Sequence, residues 1–188
     1  MNACNNCNET INGNYCSNII FFLTFLFLLS ACNNYNDNSQ AKKWMNNTEE
    51  LRMHNKGKIS ITEGIWGTLV RTEGNCMPFV GGGYSSCKQY PVQREIEIYE
   101  YTTWDETRHS SNVSSFFEKV YTKRVATVTC DLEGFFELKL SPGKYSVFVK
   151  EQLLLYAKLS DGYGGINPIT IESGKVSEVI LNIDYAVY

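Results

Sequence analysis

Short stretches in which apolar and polar residues alternate dominate the chain after its first third. The clearest lies at 92–103, where charged residues alternate with Ile96 and Ile98. A period of two residues is typical of a half-buried β-strand, because successive side chains point to opposite faces of the sheet. Tyr99 and Tyr101 share the phase of the charged residues, so the pattern predicts that both tyrosines lie on the outer face.

Further strand-like runs follow, and Gly or Pro stands in the turns between them, where the backbone must reverse. Many short strands with turn signals indicate an all-β fold, a single Ig-like β-sandwich of about seven or eight strands. Only 47–53 and 112–121 have any helical character. The predicted strands lie at 65–70, 92–103, 123–130, 135–140, 144–150, 153–158, 169–171 and 176–183.

Two connecting segments, 74–90 and 104–121, are much longer than ordinary hairpin loops of about 2–5 residues. We expect both insertions to project from the sandwich.

The start of the chain, 1–31, contains one short apolar block at 19–29. A membrane-spanning helix needs about 20 residues, whereas the apolar region of a secretory signal has about 7–15. The block is too short to span a membrane and has the length of a secretory signal, so 1–31 is predicted to be a signal peptide. This segment departs from the usual pattern because 1–18 contain no Lys or Arg. A misassigned start codon or a short buried helix are the alternatives.

The block ends in Leu29-Ser-Ala-Cys32, which resembles the lipobox of bacterial lipoproteins. The resemblance implies that the signal peptide is removed before Cys32, whose sulfur and new amino group then carry lipid such as palmitate. It also implies a lipid-anchored protein of the bacterial cell envelope, at the outer membrane, on its periplasmic or surface face.

Residues 32–61 are polar and lack a sustained apolar period. Such a segment buries too little apolar surface to offset its ordering entropy, so we expect a flexible tether. The sandwich domain then occupies 62–188.

One hairpin carries a recognisable motif. Asp131-Leu-Glu-Gly134-Phe-Phe136, followed by Pro142-Gly-Lys-Tyr145, resembles the signature of carboxypeptidase regulatory-like domains, which are transthyretin-like (prealbumin-like) β-sandwiches. The resemblance covers about residues 64–184 of the sequence. It extends to envelope lipoproteins of Bacteroidetes-type bacteria, in which such a domain follows a lipobox and a linker.

The same hairpin predicts a strand register. Gly134 permits a turn with positive φ, and alternation places Phe136, Leu138 and Leu140 on the core side. Phe135 is one position out of phase and is expected on the opposite face.

Charge and histidine content limit the chemistry. The 188 residues include 17 Lys and Arg against 20 Asp and Glu, so the sequence has no excess of basic charge that would indicate nucleic-acid binding. The only histidines are His54 and His109, and neither is followed by Glu at the spacing of the carboxypeptidase zinc motif. We therefore expect no catalytic residues, no metal site, no cofactor and no enzymatic activity.

The cysteines are more informative. Cys76 and Cys87 lie in the same insertion, and in an oxidising compartment such a pair tends to form a disulfide. The alternative is two free thiols. Cys130, at a strand end, is interpreted as a buried apolar residue.

Tyr99, Tyr101 and Trp104 form the candidate binding surface, since exposed aromatic rings can stack on sugars. The alternative is an ordinary aromatic patch without a ligand. The expected function is a non-catalytic, lipid-anchored envelope protein that binds an envelope protein or glycan. A purely structural or assembly role is the second hypothesis.

Overall fold

The alternating stretches form two β-sheets that share one apolar layer. The computed structural model describes residues 39–78, 85–110 and 114–188. Neither sheet closes into a barrel, so the predicted all-β sandwich is confirmed. The predicted signal peptide and Cys32 lie outside the described residues.

The smaller sheet has four strands, arranged around its longest member. These strands are β1 (Gly64–Glu73), β2 (Lys88–Pro91), β7 (Phe135–Leu138) and β11 (Val176–Asp184). Strand β1 pairs in parallel with β11 on one side, and on the other side antiparallel with β7 and β2, which follow each other along its edge.

The larger sheet has seven strands. They are β3 (Glu95–Glu100), β4 (Thr107–His109), β5 (Phe116–Val120), β6 (Arg124–Thr129), β8 (Gly143–Glu151), β9 (Leu154–Tyr156) and β10 (Pro168–Ile171). Their order is β4-β5-β9-β8-β3-β6, with β10 paired to β8. The described chain thus has eleven strands where about seven or eight were expected, and several of the additional ones are only three or four residues long.

The core between the sheets follows the predicted alternation. Ile96 and Ile98 of β3 meet Ile65 and Leu69 of β1 in one buried cluster, to which β8 and β11 add Val147, Val149, Leu181 and Ile183. Each of these strands contributes every second residue, as a period of two requires.

The register predicted for the hairpin is confirmed. Phe136 is buried in the core, whereas Phe135 is only partly covered. Gly134 has φ of 69°, and a Cβ at that position would lie 2.2 Å from the carbonyl oxygen of Leu69. Gly67 leaves the space that the Phe136 ring occupies, because a Cβ there would lie 2.4 Å from the ring.

The expectation of a flexible tether does not hold for 39–61. Helix α1 (Thr48–Lys56) lies on the outer face of the four-stranded sheet, with Leu51 fully buried against Trp44 and Val70. The Asn55 amide donates to the Thr68 hydroxyl at 3.1 Å and to the Glu133 carbonyl at 3.0 Å. Few apolar residues and several hydrogen bonds attach this segment to the sheet. Its sequence therefore lacks the apolar period that would have indicated docking.

The insertion at 104–121 does not project as predicted. It begins with a 3₁₀ turn at Trp104–Glu106 and continues into β4 and β5. The helical character expected at 112–121 is therefore wrong, since Phe116–Val120 is a strand that pairs with β9. Its Phe117 side chain is fully buried, so the insertion forms part of the fold.

Candidate functional site: the free edge of the four-stranded sheet

Tyr99, the first residue of the predicted aromatic surface, is buried. It points away from Ile96 and Ile98, as alternation predicted, but it is only 8% exposed. Its hydroxyl donates to Oε2 of Glu97 at 2.6 Å, and Glu97 is also buried. Burial and the Glu97 carboxylate raise the pKa of Tyr99 above its ordinary value. The prediction that Tyr99 lies outside is wrong.

A second apolar cluster explains this burial. The Tyr99 ring meets Phe148 edge-on at 5.5 Å, and Phe148 meets Phe117 edge-on at 5.4 Å. Phe117 belongs to the insertion, so the insertion covers the face that alternation assigned to solvent. Val120, Ala157 and Ile166 complete the cluster.

Tyr101 and Trp104 are partly buried, and each ring has its own neighbours. The Tyr101 hydroxyl donates to Oδ2 of Asp161 at 2.8 Å, and Nζ of Lys144 lies 3.9 Å from the ring centroid. Trp104 stacks on His109 with 4.9 Å between ring centroids and an interplanar angle of 11°. One face of each ring therefore already has a partner.

Both histidines also have structural partners. His54 lies 2.8 Å from the Glu133 carboxylate, and the His109 ring contacts Trp104 and Phe117. Within the described ranges, no group of three or more His, Cys, Asp or Glu side chains is placed to hold a metal ion.

Cys76 and Cys87 are joined by a disulfide, with 4.7 Å between their Cα atoms. The bond closes the base of the first insertion. Cys130 is a buried free thiol. Burial is the main cause that raises its pKa to about 11, so it is a protonated apolar side chain at neutral pH.

The outer edge of β11 is a further candidate recognition feature. This strand is the last of its sheet, and among the described residues no strand pairs with its other edge. The Gly64 amide donates to the Lys175 carbonyl, and the Tyr185 amide donates to the Thr72 carbonyl. Alternate residues of a strand bond to the same neighbour, so the odd-numbered residues of β11 face β1. The backbone groups of Glu178, Ile180 and Asn182 therefore point outwards.

Neighbouring groups limit both ends of this edge. At its beginning, strand β10 lies against β11, and the Ser177 side-chain hydroxyl donates to the Thr170 carbonyl of β10 at 2.9 Å. At its end, the Asp184 amide donates to the Tyr156 hydroxyl at 3.1 Å. We define the edge window as Glu178, Ile180 and Asn182.

An apolar recess of about 220 Å³ borders the edge window. Its floor contains Val149, Tyr156 and Leu181, all buried. Ile180 and Leu159 line the opening and are 50% and 66% exposed. The recess continues between β10 and β11 along Ile169 and Val179.

A buried carboxylate closes the recess at one end. Asp184 accepts hydrogen bonds from Nζ of Lys158, from the Ala186 amide at 3.0 Å and from the Tyr188 hydroxyl at 3.1 Å. Burial alone would raise the pKa of Asp184, but these donors outweigh it and hold that pKa below its ordinary value. The aspartate is therefore ionised at neutral pH.

Sequence reasoning did not find Ile180 or Leu159. The signal for Ile180 was present, because it interrupts the alternation in which Val179, Leu181 and Ile183 face the core. An apolar residue out of phase in a strand faces solvent unless another element covers it. Leu159 follows β9 in an irregular segment, where no period indicates its environment.

Comparison with protein-family models, with curated proteins and with solved structures finds no match to this chain. The resemblance to carboxypeptidase regulatory-like domains therefore remains an interpretation of the hairpin motif. No helix in the part of the chain that the structure describes is long and apolar enough to cross a membrane.

Proposed function

We propose that this chain is a non-catalytic, lipid-anchored protein of the bacterial cell envelope, and that its sandwich binds another polypeptide at the edge window of β11. The observation that carries the proposal is this open strand edge beside an apolar recess. An unpaired strand edge offers backbone donors and acceptors that match an extended polypeptide.

Protein is favoured over glycan as the bound molecule. The rings of the aromatic surface are buried or already stacked, whereas Ile180 and Leu159 expose apolar surface next to unpaired backbone groups. Exposed apolar side chains beside a recess are typical of protein-interaction sites.

The anchoring part of the proposal rests on Leu29-Ser-Ala-Cys32. In bacterial cells, the full chain is expected to incorporate labelled fatty acid, and Cys32→Ala is expected to abolish the label and leave an uncleaved precursor. Fatty-acid label that persists in Cys32→Ala would contradict lipid attachment at this cysteine.

The binding part is tested by site-specific photo-crosslinking in the anchored full chain. A photoreactive residue at Leu159 is expected to yield one recurring polypeptide adduct. The matched control is Tyr163, which is 89% exposed in the 161–165 loop and outside the recess. Equal adducts from both positions, or none from Leu159, would contradict binding at the recess.

A further inference from the structure

The edge window of β11 is short and symmetric. Its three residues, Glu178, Ile180 and Asn182, have outward backbone groups. Strand β10 beside Ser177 bounds the window at one end, and the hydrogen bond of the Asp184 amide to Tyr156 bounds it at the other. Ile180 stands at the centre of the window. A strand that fits here pairs over about five residues, from 178 to 182.

We propose that the occupant of this edge is a second copy of the same chain, paired antiparallel about a two-fold axis through Ile180. This inference rests on the proposed function, because it names the partner at that site. The axis places Ile180 opposite Ile180 of the second copy, and Glu178 opposite Asn182 in both directions. Each of these three pairs exchanges two backbone hydrogen bonds, because all three residues point outwards.

Other two-fold registers fit less well. An axis through Glu178 brings two glutamates opposite each other, and like charges in directly opposed positions destabilise a sheet. An axis through Asn182 pairs Ile180 with Asp184, whose amide already donates to Tyr156. Among two-fold axes that pass through a residue of the edge window, only the axis through Ile180 uses all three residues and opposes no like charges.

The side chains opposed in this register are complementary. Oδ1 of Asn182 accepts from the Thr72 hydroxyl at 2.9 Å, and its amide nitrogen is a hydrogen-bond donor. Glu178 of the second copy supplies a carboxylate opposite Asn182. Arg52 of α1 lies 2.8 Å from Glu178 and also 2.8 Å from Glu49, so it offsets part of the charge of the Glu178 carboxylate beside the pairing edge.

Pairing also protects apolar surface. Ile180 is half exposed and Leu159 is more exposed still, and both lie at the edge that the second copy would cover. The window contains no Pro, no Lys and no bulge, which are common devices that prevent edge pairing. Two-fold symmetric contacts that use the same patch on both subunits are the commonest form of oligomer.

The first test is disulfide crosslinking of the full chain in its membrane. Residues opposed in a hydrogen-bonded antiparallel pair have Cα atoms about 5.5 Å apart, within the range that a disulfide spans. Ile180→Cys is therefore expected to form a covalent dimer on non-reducing gels, and Tyr163→Cys is the exposed control. Glu178→Cys mixed with Asn182→Cys is expected to crosslink about tenfold more than either variant alone.

The second test uses the direction of the Ile180 amide. Because this amide points away from β1, Ile180→Pro removes an edge donor without removing a bond to β1. Sedimentation of the detergent-solubilised full chain is expected to show a dimer for the wild type and for Ile180→Val, and a monomer for Ile180→Pro. Circular dichroism of each variant establishes that the fold is kept.

Crosslinking of Ile180→Cys no stronger than that of Tyr163→Cys would overturn the inference, as would a monomeric wild type. If a photoreactive residue at Leu159 then still captured one other polypeptide, the proposed function would stand with a different partner. If it captured nothing, both would fail.

Discussion

Glu133 fixes the N-terminal segment to the sandwich and allows a quantitative test of that attachment. Its carboxylate lies 2.7 Å from Nζ of Lys58, 2.8 Å from Nε2 of His54 and 3.0 Å from the Trp44 indole nitrogen. All three partners precede β1 in the chain. We expect Glu133→Gln to weaken the docking of α1, because the neutral amide cannot accept from so many donors.

The expected size follows from the pKa of Glu133. Burial would raise it, but hydrogen bonds from Lys58, Trp44 and His54 lower it from 4.5 to about 2. At about 1.4 kcal/mol for each pKa unit, this lowering corresponds to roughly 3 kcal/mol of folding free energy. The carboxylate is partly reached by solvent, so screening reduces the figure to about 1–2 kcal/mol. Because the folded pKa is depressed, this stability is present above pH 4.5 and is lost as the pH falls towards 2.

Urea unfolding of the wild type and of Glu133→Gln, each at several pH values from 7 to about 3, measures this difference. The free-energy gap between the two proteins is expected to shrink as the pH falls below 4.5. Glu172→Gln is the matched control, since Glu172 pairs with Lys175 but is exposed, and a much smaller change is expected there. A gap for Glu133→Gln that stays constant with pH would refute a role for its charge.

Three further changes test the fold by chemical unfolding and thiol counting. Phe136→Ala removes a buried ring and is expected to cost about 3–5 kcal/mol, whereas Phe135→Ser should shift the unfolding midpoint little; the reverse order would invert the strand register. Leu51→Ala is expected to cost about 2–5 kcal/mol, whereas Met53→Ala, at an exposed position, should be nearly neutral; equal effects would show that α1 is not docked. Of the cysteines in the sandwich, only Cys130 is expected to react with a thiol reagent in denatured, unreduced protein, and more than one reactive thiol would contradict the disulfide.

The hairpin register was predictable because local rules determine it. A period of two residues assigns Phe136 and Phe135 to opposite faces, and Gly134 marks a backbone conformation that few other residues adopt. These signals lie within a few residues of the positions they specify. They need no knowledge of the rest of the chain.

The outer face of the larger sheet was not predictable in the same way. Alternation correctly placed Tyr99 and Ile96 on opposite faces of β3, but it does not indicate whether another part of the chain covers a face. Phe117, from a later strand of the chain, covers it. The exposure predicted for Tyr99 is therefore wrong because of tertiary packing, although a strand was correctly predicted at this position.

The location of the edge window also could not be predicted from local patterns, because it depends on the topology of the sheet. The sequence of β11 predicts a strand and shows Ile180 out of phase. The position of β11 at an edge follows only from the order of strands in the sheet, where β11, the last strand of the described chain, pairs with β1, the first. For this reason the best candidate site lies on residues that local patterns did not select.

The docked helix also changes what lipid attachment at Cys32 would mean. A tether that extended to residue 61 would allow the sandwich to move up to about 100 Å from the membrane, at roughly 3.4 Å per residue. Since residues from 39 onward belong to the folded unit, the chain from Cys32 to Ser39 reaches at most about 25 Å. The proposed anchor therefore keeps the folded unit close to the membrane surface, where other anchored copies are confined to the same layer. This confinement raises their local concentration and favours pairing through a window that supplies only six backbone hydrogen bonds, two from each of its three residue pairs.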